Sequence, residues 1–298
     1  MPMSKKVLIS NSLRDGKKLA NRLGYSFYQE TTIEKYPDTE KVIGTRKKIS
    51  GPAGVIHWQF NNTENFDDQI INLLAFVNKF SDTHITRLVL PYTPYGRATA
   101  LADYEVDKLC FLLKTLSEGV KKLYLVVVHH NFEQSKRARV GLKNIFVIDV
   151  DDQLVTFLDK KFGDHFILIS PDEGFSETVS RLAKRMGMNY VSLTKHRLSP
   201  VKVIVMGTSA AKRTILKNKD SRFVIIDDIV STGETFKQST IFLRSLGIRA
   251  KNISFIAVHD TRREKINEKV KVFCSNSLST AHPAFDITES IVKALQSR

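Results

Sequence analysis

Residues 223–235 read FVIIDDIVSTGET. Four apolar residues run directly into two aspartates, and a short stretch rich in Ser, Thr and Gly follows. An unbroken apolar run of this length suits a strand buried on both faces, as in a parallel sheet. The hydroxyl and Gly residues suit a tight loop that opens a helix. Such a loop presents backbone N–H groups that can bind an anion. The plainer alternative is a strand end with an Asp turn and a Ser/Thr helix cap.

The rest of the chain repeats the strand-then-helix theme. Strands are expected at KKVLIS (5–10), GVIHWQF (54–60), RLVLPY (87–92) and KLYLVVVHH (122–130). Helical patterns occupy RDGKKLANRLG (14–24), DDQIINLLAFVNKF (67–80) and YEVDKLCFLLKTLSEG (104–119). A second series begins with HFILISPDEG (165–174) and SETVSRLAKRMG (176–187). It continues with NYVSLTKHR (189–197), KVIVMG (202–207), the quoted stretch, TFKQSTIFLRSLG (235–247), NISFIAVHD (252–260) and KVFCSNS (271–277). Apolar strands alternating with helices predict an α/β fold with parallel sheets, here two tandem Rossmann-like domains. The expected division is 1–147 and 148–298, with the join near 145–152. The last segment, FDITESIVKALQSR (285–298), reads as a closing helix that can pack back onto the N-terminal domain.

The chain has 298 residues, 42% of them hydrophobic, enough for one large or two medium cores. No apolar run reaches membrane-spanning length, since LYLVVV (123–128) is only strand-sized. The N-terminus lacks the long apolar core of a secretory signal. Cys110 and Cys274 are too few for a disulfide framework and lack metal-site spacing. The expected location is cytoplasmic. The formal charge of +15 is spread along the chain. Its densest cluster, QSKRARVGLK (134–143), has no interleaved aromatics, so nucleic acid is a weak reading. A solvated basic surface and attraction of a phosphate-rich small substrate both remain open.

In doubly wound sheets, ligands sit beyond the carboxyl ends of the strands. The polar residues that follow the apolar runs are Arg97, His129 with His130, Asp172, and Asp227 with Asp228. A buried strand, two acids and a hydroxyl-Gly loop can together hold a phosphorylated ribose. The loop takes the phosphate and the carboxylates accept hydrogen bonds from vicinal hydroxyls.

FVIIDDIVSTGET resembles the phosphoribosyl diphosphate (PRPP) motif of type I phosphoribosyltransferases and PRPP synthetases. Several further segments resemble PRPP synthetases, in order along the chain. VLPYTPYGR (89–97) is similar to a segment whose Arg contacts ATP, which implies Arg97 as an ATP ligand. KYPDTE (35–40) resembles the loop that packs an aromatic against adenine, which implies Tyr36, Asp38 and Glu40. VHHNFEQ (128–134) and ISPDEG (169–174) resemble metal-associated segments, which implies His130 (His129 being second choice) and Asp172 around Mg²⁺. SLTKHR (192–197) resembles the start of a catalytic loop, which implies Lys195 and Arg197. In the PRPP motif, Asp227 and Asp228 would contact ribose hydroxyls, and Ser231, Thr232, Gly233, Glu234 and Thr235 would cradle the 5-phosphate.

The resemblance has gaps. Arg97 is followed by Ala98, Thr99, Ala100 and Leu101, where the family has a polar run. Val128 replaces an acid near the metal-associated His, Thr39 stands where many members have Gly, and Glu234 stands where Gly is common. A carboxylate beside a phosphate dianion is unfavourable unless it points away. By resemblance the enzyme transfers the β,γ-diphosphate of ATP to the C1 hydroxyl of ribose 5-phosphate, and it is at least a dimer. Three alternatives stand beside that reading. They are the same transfer to a 5-substituted ribose such as ADP-ribose, as in NAD-related viral relatives, a phosphoribosyltransferase, and a non-catalytic regulatory homologue.

Overall fold

The computed structural model describes residues 6–37, 40–45, 47–49, 54–80, 85–96, 107–127, 143–197, 203–263, 271–279 and 282–297. The chain divides into two compact units. The first comprises residues 1–149 with 277–279 and 287–298; the second comprises 150–276 with 280–286.

The first unit is built on a seven-stranded sheet in the order β3-β2-β1-β4-β5-β6-β7. Its strands are β1 (Val7–Ser10), β2 (Ser26–Lys35), β3 (Lys41–Thr45), β4 (Gly54–His57), β5 (Ile85–Leu90), β6 (Lys122–Val126) and β7 (Ile145–Ile148). Helices α1 (Leu13–Leu23), α2 (Phe66–Phe80) and α3 (Lys108–Glu118) connect parallel strands. α1 shows how the sequence sets its own ends. Ser12 accepts a hydrogen bond from Asp15 N at 3.3 Å, and Gly24 closes the helix in the left-handed region at φ 69°. Gly54 lies where β4 passes β1. A Cβ there would fall 1.7 Å from the Val7 carbonyl oxygen, so no other residue fits without moving the backbone.

Among the described strands of this unit, only β2 and β3 pair antiparallel, with Tyr36 directly after β2. This hairpin carries no buried apolar run, because β2 is half-buried to exposed along its length. The chain returns to this unit at its end. There the last helix, α8 (Thr288–Gln296), holds Arg22 through Glu289 at 2.6 Å. Arg87 on β5 donates to the Leu295 carbonyl at 2.7 Å.

The second unit has a fully parallel five-stranded sheet in the order β14-β13-β12-β8-β9. Its strands are β8 (Phe166–Ser170), β9 (Tyr190–Ser192), β12 (Arg222–Val230), β13 (Ile253–Asp260) and β14 (Lys271–Cys274). Helices α4 (Asp151–Phe162), α5 (Ser176–Met186), α6 (Ser209–Lys217) and α7 (Glu234–Ser245) accompany them. Phe223 to Ile226 of β12 are fully buried at the centre of this core. NYVSLTKHR, expected as one strand, is two. β9 ends at Ser192, Leu193 donates its N–H to Ser170 O at 2.9 Å, and β10 (Thr194–Arg197) turns away to pair antiparallel with β11 (Val203–Met206). The α/β class with parallel-dominated sheets stands as expected, with two antiparallel hairpins added.

Candidate active site

The two acids of the opening stretch do not end their strand. β12 pairs with β8 only as far as Ile225, opposite Ile169. It then runs on to Val230 beside β13 alone. Asp227 and Asp228 therefore lie past the end of β8, on a stretch of strand still held by β13. Both are nearly buried, at 6% and 7% exposure. Adjacent residues of an extended strand leave it on opposite faces. Asp227 turns one oxygen back to accept from the Asp228 N–H at 3.0 Å. The Asp228 carboxylate makes no hydrogen bond among the described residues. A carboxylate with little solvent and no protein donor is an acceptor site for hydroxyl groups.

The loop that follows is short. Gly233 adopts φ 78°, a left-handed conformation that a β-carbon would strain, and α7 begins at Glu234. The first-turn amides of a helix have no intrahelical partners, and its dipole favours an anion there. Thr232 Oγ1 takes only a long 3.4 Å contact from the Glu234 N–H. Phe236 anchors the helix start from below, fully buried with its ring edge-on to Phe255 at 5.1 Å. Glu234 does not turn toward the loop. Its Oε1 accepts from Gln238 Nε2 at 2.8 Å, one turn along the helix.

Asp172 follows β8, the strand beside β12. Its Oδ1 accepts from Phe175 N at 3.3 Å and its carbonyl accepts from Ser170 Oγ at 2.6 Å, so it shapes the turn into α5. Among the described residues, no group of three His, Cys, Asp or Glu is placed to hold a metal by itself.

A pair that sequence reading passed over lies after β13. Arg262 grips Asp260 through two hydrogen bonds of 2.8 and 2.7 Å, with both side chains mostly buried. That bond holds the guanidinium above its ordinary value. Burial, with Asp260 beside it, pushes the neighbouring Cys274 thiol up to about 12, so it is an inert thiol. Between them, Thr261 donates both its N–H and its hydroxyl to the Val230 carbonyl, at 2.9 and 3.1 Å. The departure of the 231–233 loop is thus tied to β13. The signal was the HDTR run closing NISFIAV, a polar strand end of the kind singled out elsewhere.

The remaining expected residues are spread over both units. Lys195 and Arg197 lie in β10, opposite Val205 and Val203, and their side chains lie outside the described ones. Tyr36 and Glu40 flank the β2–β3 turn, with Tyr36 N donating to Glu40 O at 2.9 Å. The Tyr36 ring is 43% exposed, so it is no core aromatic. Asp38, Arg97 and His130, with His129, lie outside the described residues. Among the described residues, two non-glycine residues have positive φ: Tyr95 at 63°, two positions before Arg97, and the β-branched Val127 at 36°, two positions before His129. Strain of this kind concentrates where strand ends carry function.

The phosphoribosyl transferase domain model matches residues 140–288. The chain is 26% identical over 269 residues to a ribose-phosphate pyrophosphokinase of Pyrococcus abyssi, covering 88% of each chain. It is 25% identical over 279 residues to one from Thermococcus kodakarensis, covering 89% of this chain and 91% of that one. Among solved structures, the phosphoribosylpyrophosphate synthetase of Mycobacterium smegmatis superposes with a TM-score of 0.77. That superposition covers 98% of both chains at 15% identity, a likeness of fold.

Proposed function

The chain belongs to the phosphoribosyl transferase domain family and, within it, to the ribose-phosphate pyrophosphokinases, and from that premise we propose that it makes PRPP and AMP from ATP and ribose 5-phosphate. The C1 hydroxyl oxygen of the sugar attacks the β-phosphorus of ATP. The bond from that phosphorus to the α,β-bridging oxygen breaks, AMP departs, and the hydroxyl proton is lost. Such a transfer depends on positioning and charge neutralisation rather than on covalent catalysis.

The observation that carries the reading is the pairing of Glu234 with Gln238. It draws the one unfavourable carboxylate away from the loop, which leaves the Ser231–Thr235 amides and hydroxyls to a terminal phosphate dianion. That supports ribose 5-phosphate over ADP-ribose, whose diphosphate has no such terminus. Asp228 accepts from the ribose hydroxyls, with Asp227 fixing the backbone beneath it. Lys195 and Arg197 neutralise the transferred group, and Tyr36, Asp38, Glu40 and Arg97 hold ATP. Mg²⁺ fits a donor set of this kind, because it is commonly held by one or two carboxylates together with substrate phosphates. Asp172 and His130 are the residues proposed near it. When bound, it would neutralise and orient phosphate oxygens. The proposed assembly is a homo-oligomer of at least two copies. No described helix is long and apolar enough to cross a membrane.

Asp228→Asn tests the sugar site. Hydrogen bonds to a charged group contribute about 1.5–3 kcal/mol each, so the KM for ribose 5-phosphate should rise about ten- to a hundredfold. Calorimetric binding of the sugar phosphate to the variant should weaken in parallel. Unchanged affinity would remove Asp228 from the sugar site.

A further inference from the structure

A second polar cleft lies wholly in the first unit, beyond the carboxyl ends of β1 and β4. The chain leaves these neighbouring strands toward opposite sides of the sheet, β1 through α1 to β2 and β4 through α2 to β5. Open α/β sheets leave a binding crevice at such a switch point. The cavity here is about 290 Å³. At the ~30 Å³ that each water-sized group occupies, it has room for roughly ten heavy atoms.

Its walls are held in place by the fold. Asn11 Nδ2 donates to Gln59 O and Gln59 N donates to Asn11 Oδ1, both at 2.9 Å. The Gln69 amide is fixed at both ends by the Asn61 backbone, accepting from N at 2.7 Å and donating to O at 2.9 Å. Several lining groups are left over, among them the buried Trp58 Nε1. The side chains of Glu30 on β2 and Asn72 on α2 make no hydrogen bond among the described residues.

The charge of the cleft opposes that of the chain. It is lined by two carboxylates, Glu30 and Glu64, and one ammonium, Lys41, in a molecule of formal charge +15. Glu64 is engaged by Asn61 Nδ2 at 2.9 Å. Burial holds the Glu30 carboxyl above its ordinary range, Lys41 pulls it down, and Glu64 pushes it up. A cation or strong donor at Glu30 would relieve that cost, whereas a phosphate would face two carboxylates for one ammonium.

We propose that this cleft binds a small organic cation, an amine or guanidinium of roughly ten heavy atoms, with Glu30 as its counter-ion and Asn72 as a second contact. The site stands on its own lining residues and does not depend on the diphosphoryl transfer. Agmatine, a guanidinium of that size, is the probe. Ribose and inorganic phosphate serve as neutral and anionic controls, each titrated into the full chain by calorimetry. Agmatine should bind, and Glu30→Gln should weaken it about tenfold or more. Asn72→Ala should weaken it severalfold, and it supplies a second reading if Glu30→Gln lowers the unfolding midpoint. Neither control should show binding that either substitution changes. Absence of agmatine binding, or equal binding to wild type and the folded variants, would overturn the proposal. So would ribose or phosphate binding that depends on Glu30.

Discussion

Replacing Lys195 or Arg197 with alanine is expected to lower turnover about a hundred- to a thousandfold, while the affinities for ATP and ribose 5-phosphate change only severalfold. Both residues lie in β10, two positions apart, opposite Val205 and Val203 of β11. In a loose phosphoryl-transfer transition state, negative charge grows on the departing oxygen of AMP. Cations that meet this charge only at that stage affect kcat far more than KM. Arg197→Lys should recover part of the loss, since it keeps the charge but not the planar, two-pronged donor. Either alanine variant turning over at the wild-type rate would remove this hairpin from the chemistry.

The second large effect concerns stability, and it centres on His57 at the end of β4. The ring is buried, with Nδ1 2.9 Å from the equally buried Ser10 Oγ. Asp15 stands nearby, its carboxylate accepting from Gln59 Nε2 at 2.9 Å. Burial lowers the His57 pKa to about 4, and the Asp15 charge offsets only part of that effect. The unfolded chain therefore takes up a proton at this residue near pH 6.5, well before the folded chain does. The stabilisation is complete above about pH 6.5 and is lost as the pH falls toward 4. A displacement of that size corresponds to about 3 kcal/mol. Denaturant unfolding of the wild type at pH 7 and pH 4.5 should show most of this fall in excess of His57→Asn, which has nothing to titrate there. Equal falls in both proteins would mean that His57 does not drive the acid sensitivity.

The centre of the second unit was open to sequence reading because its strands are buried on both faces. FVII is apolar for a structural reason: β8 and β13 flank its strand. The loop was equally legible, since Gly233 is required by its positive φ and the hydroxyl residues surround a helix start. Less could be read where strands are exposed. Ile33 of β2 and Val42 of β3 are 56% and 43% exposed and lie among charged residues, which masks the hairpin they share. The break within NYVSLTKHR has no Gly or Pro to mark it and depends on Leu193 burying itself beside β8. Register was not legible at all. It alone sets Asp227 and Asp228 beyond the end of β8, and it brings Thr261 onto Val230. The consequence of Glu234 was likewise hidden. The sequence shows a carboxylate within the proposed phosphate loop, and only the geometry shows it bound to Gln238.

The central claim is diphosphoryl transfer to ribose 5-phosphate. It is tested most directly by incubating the full chain with ATP, Mg²⁺ and either ribose 5-phosphate or ADP-ribose, and following AMP and the diphosphorylated sugar by mass. The expected result is AMP and PRPP formed in equal amounts with ribose 5-phosphate and little product with ADP-ribose. Product from ADP-ribose alone, or no AMP from either sugar, would contradict it.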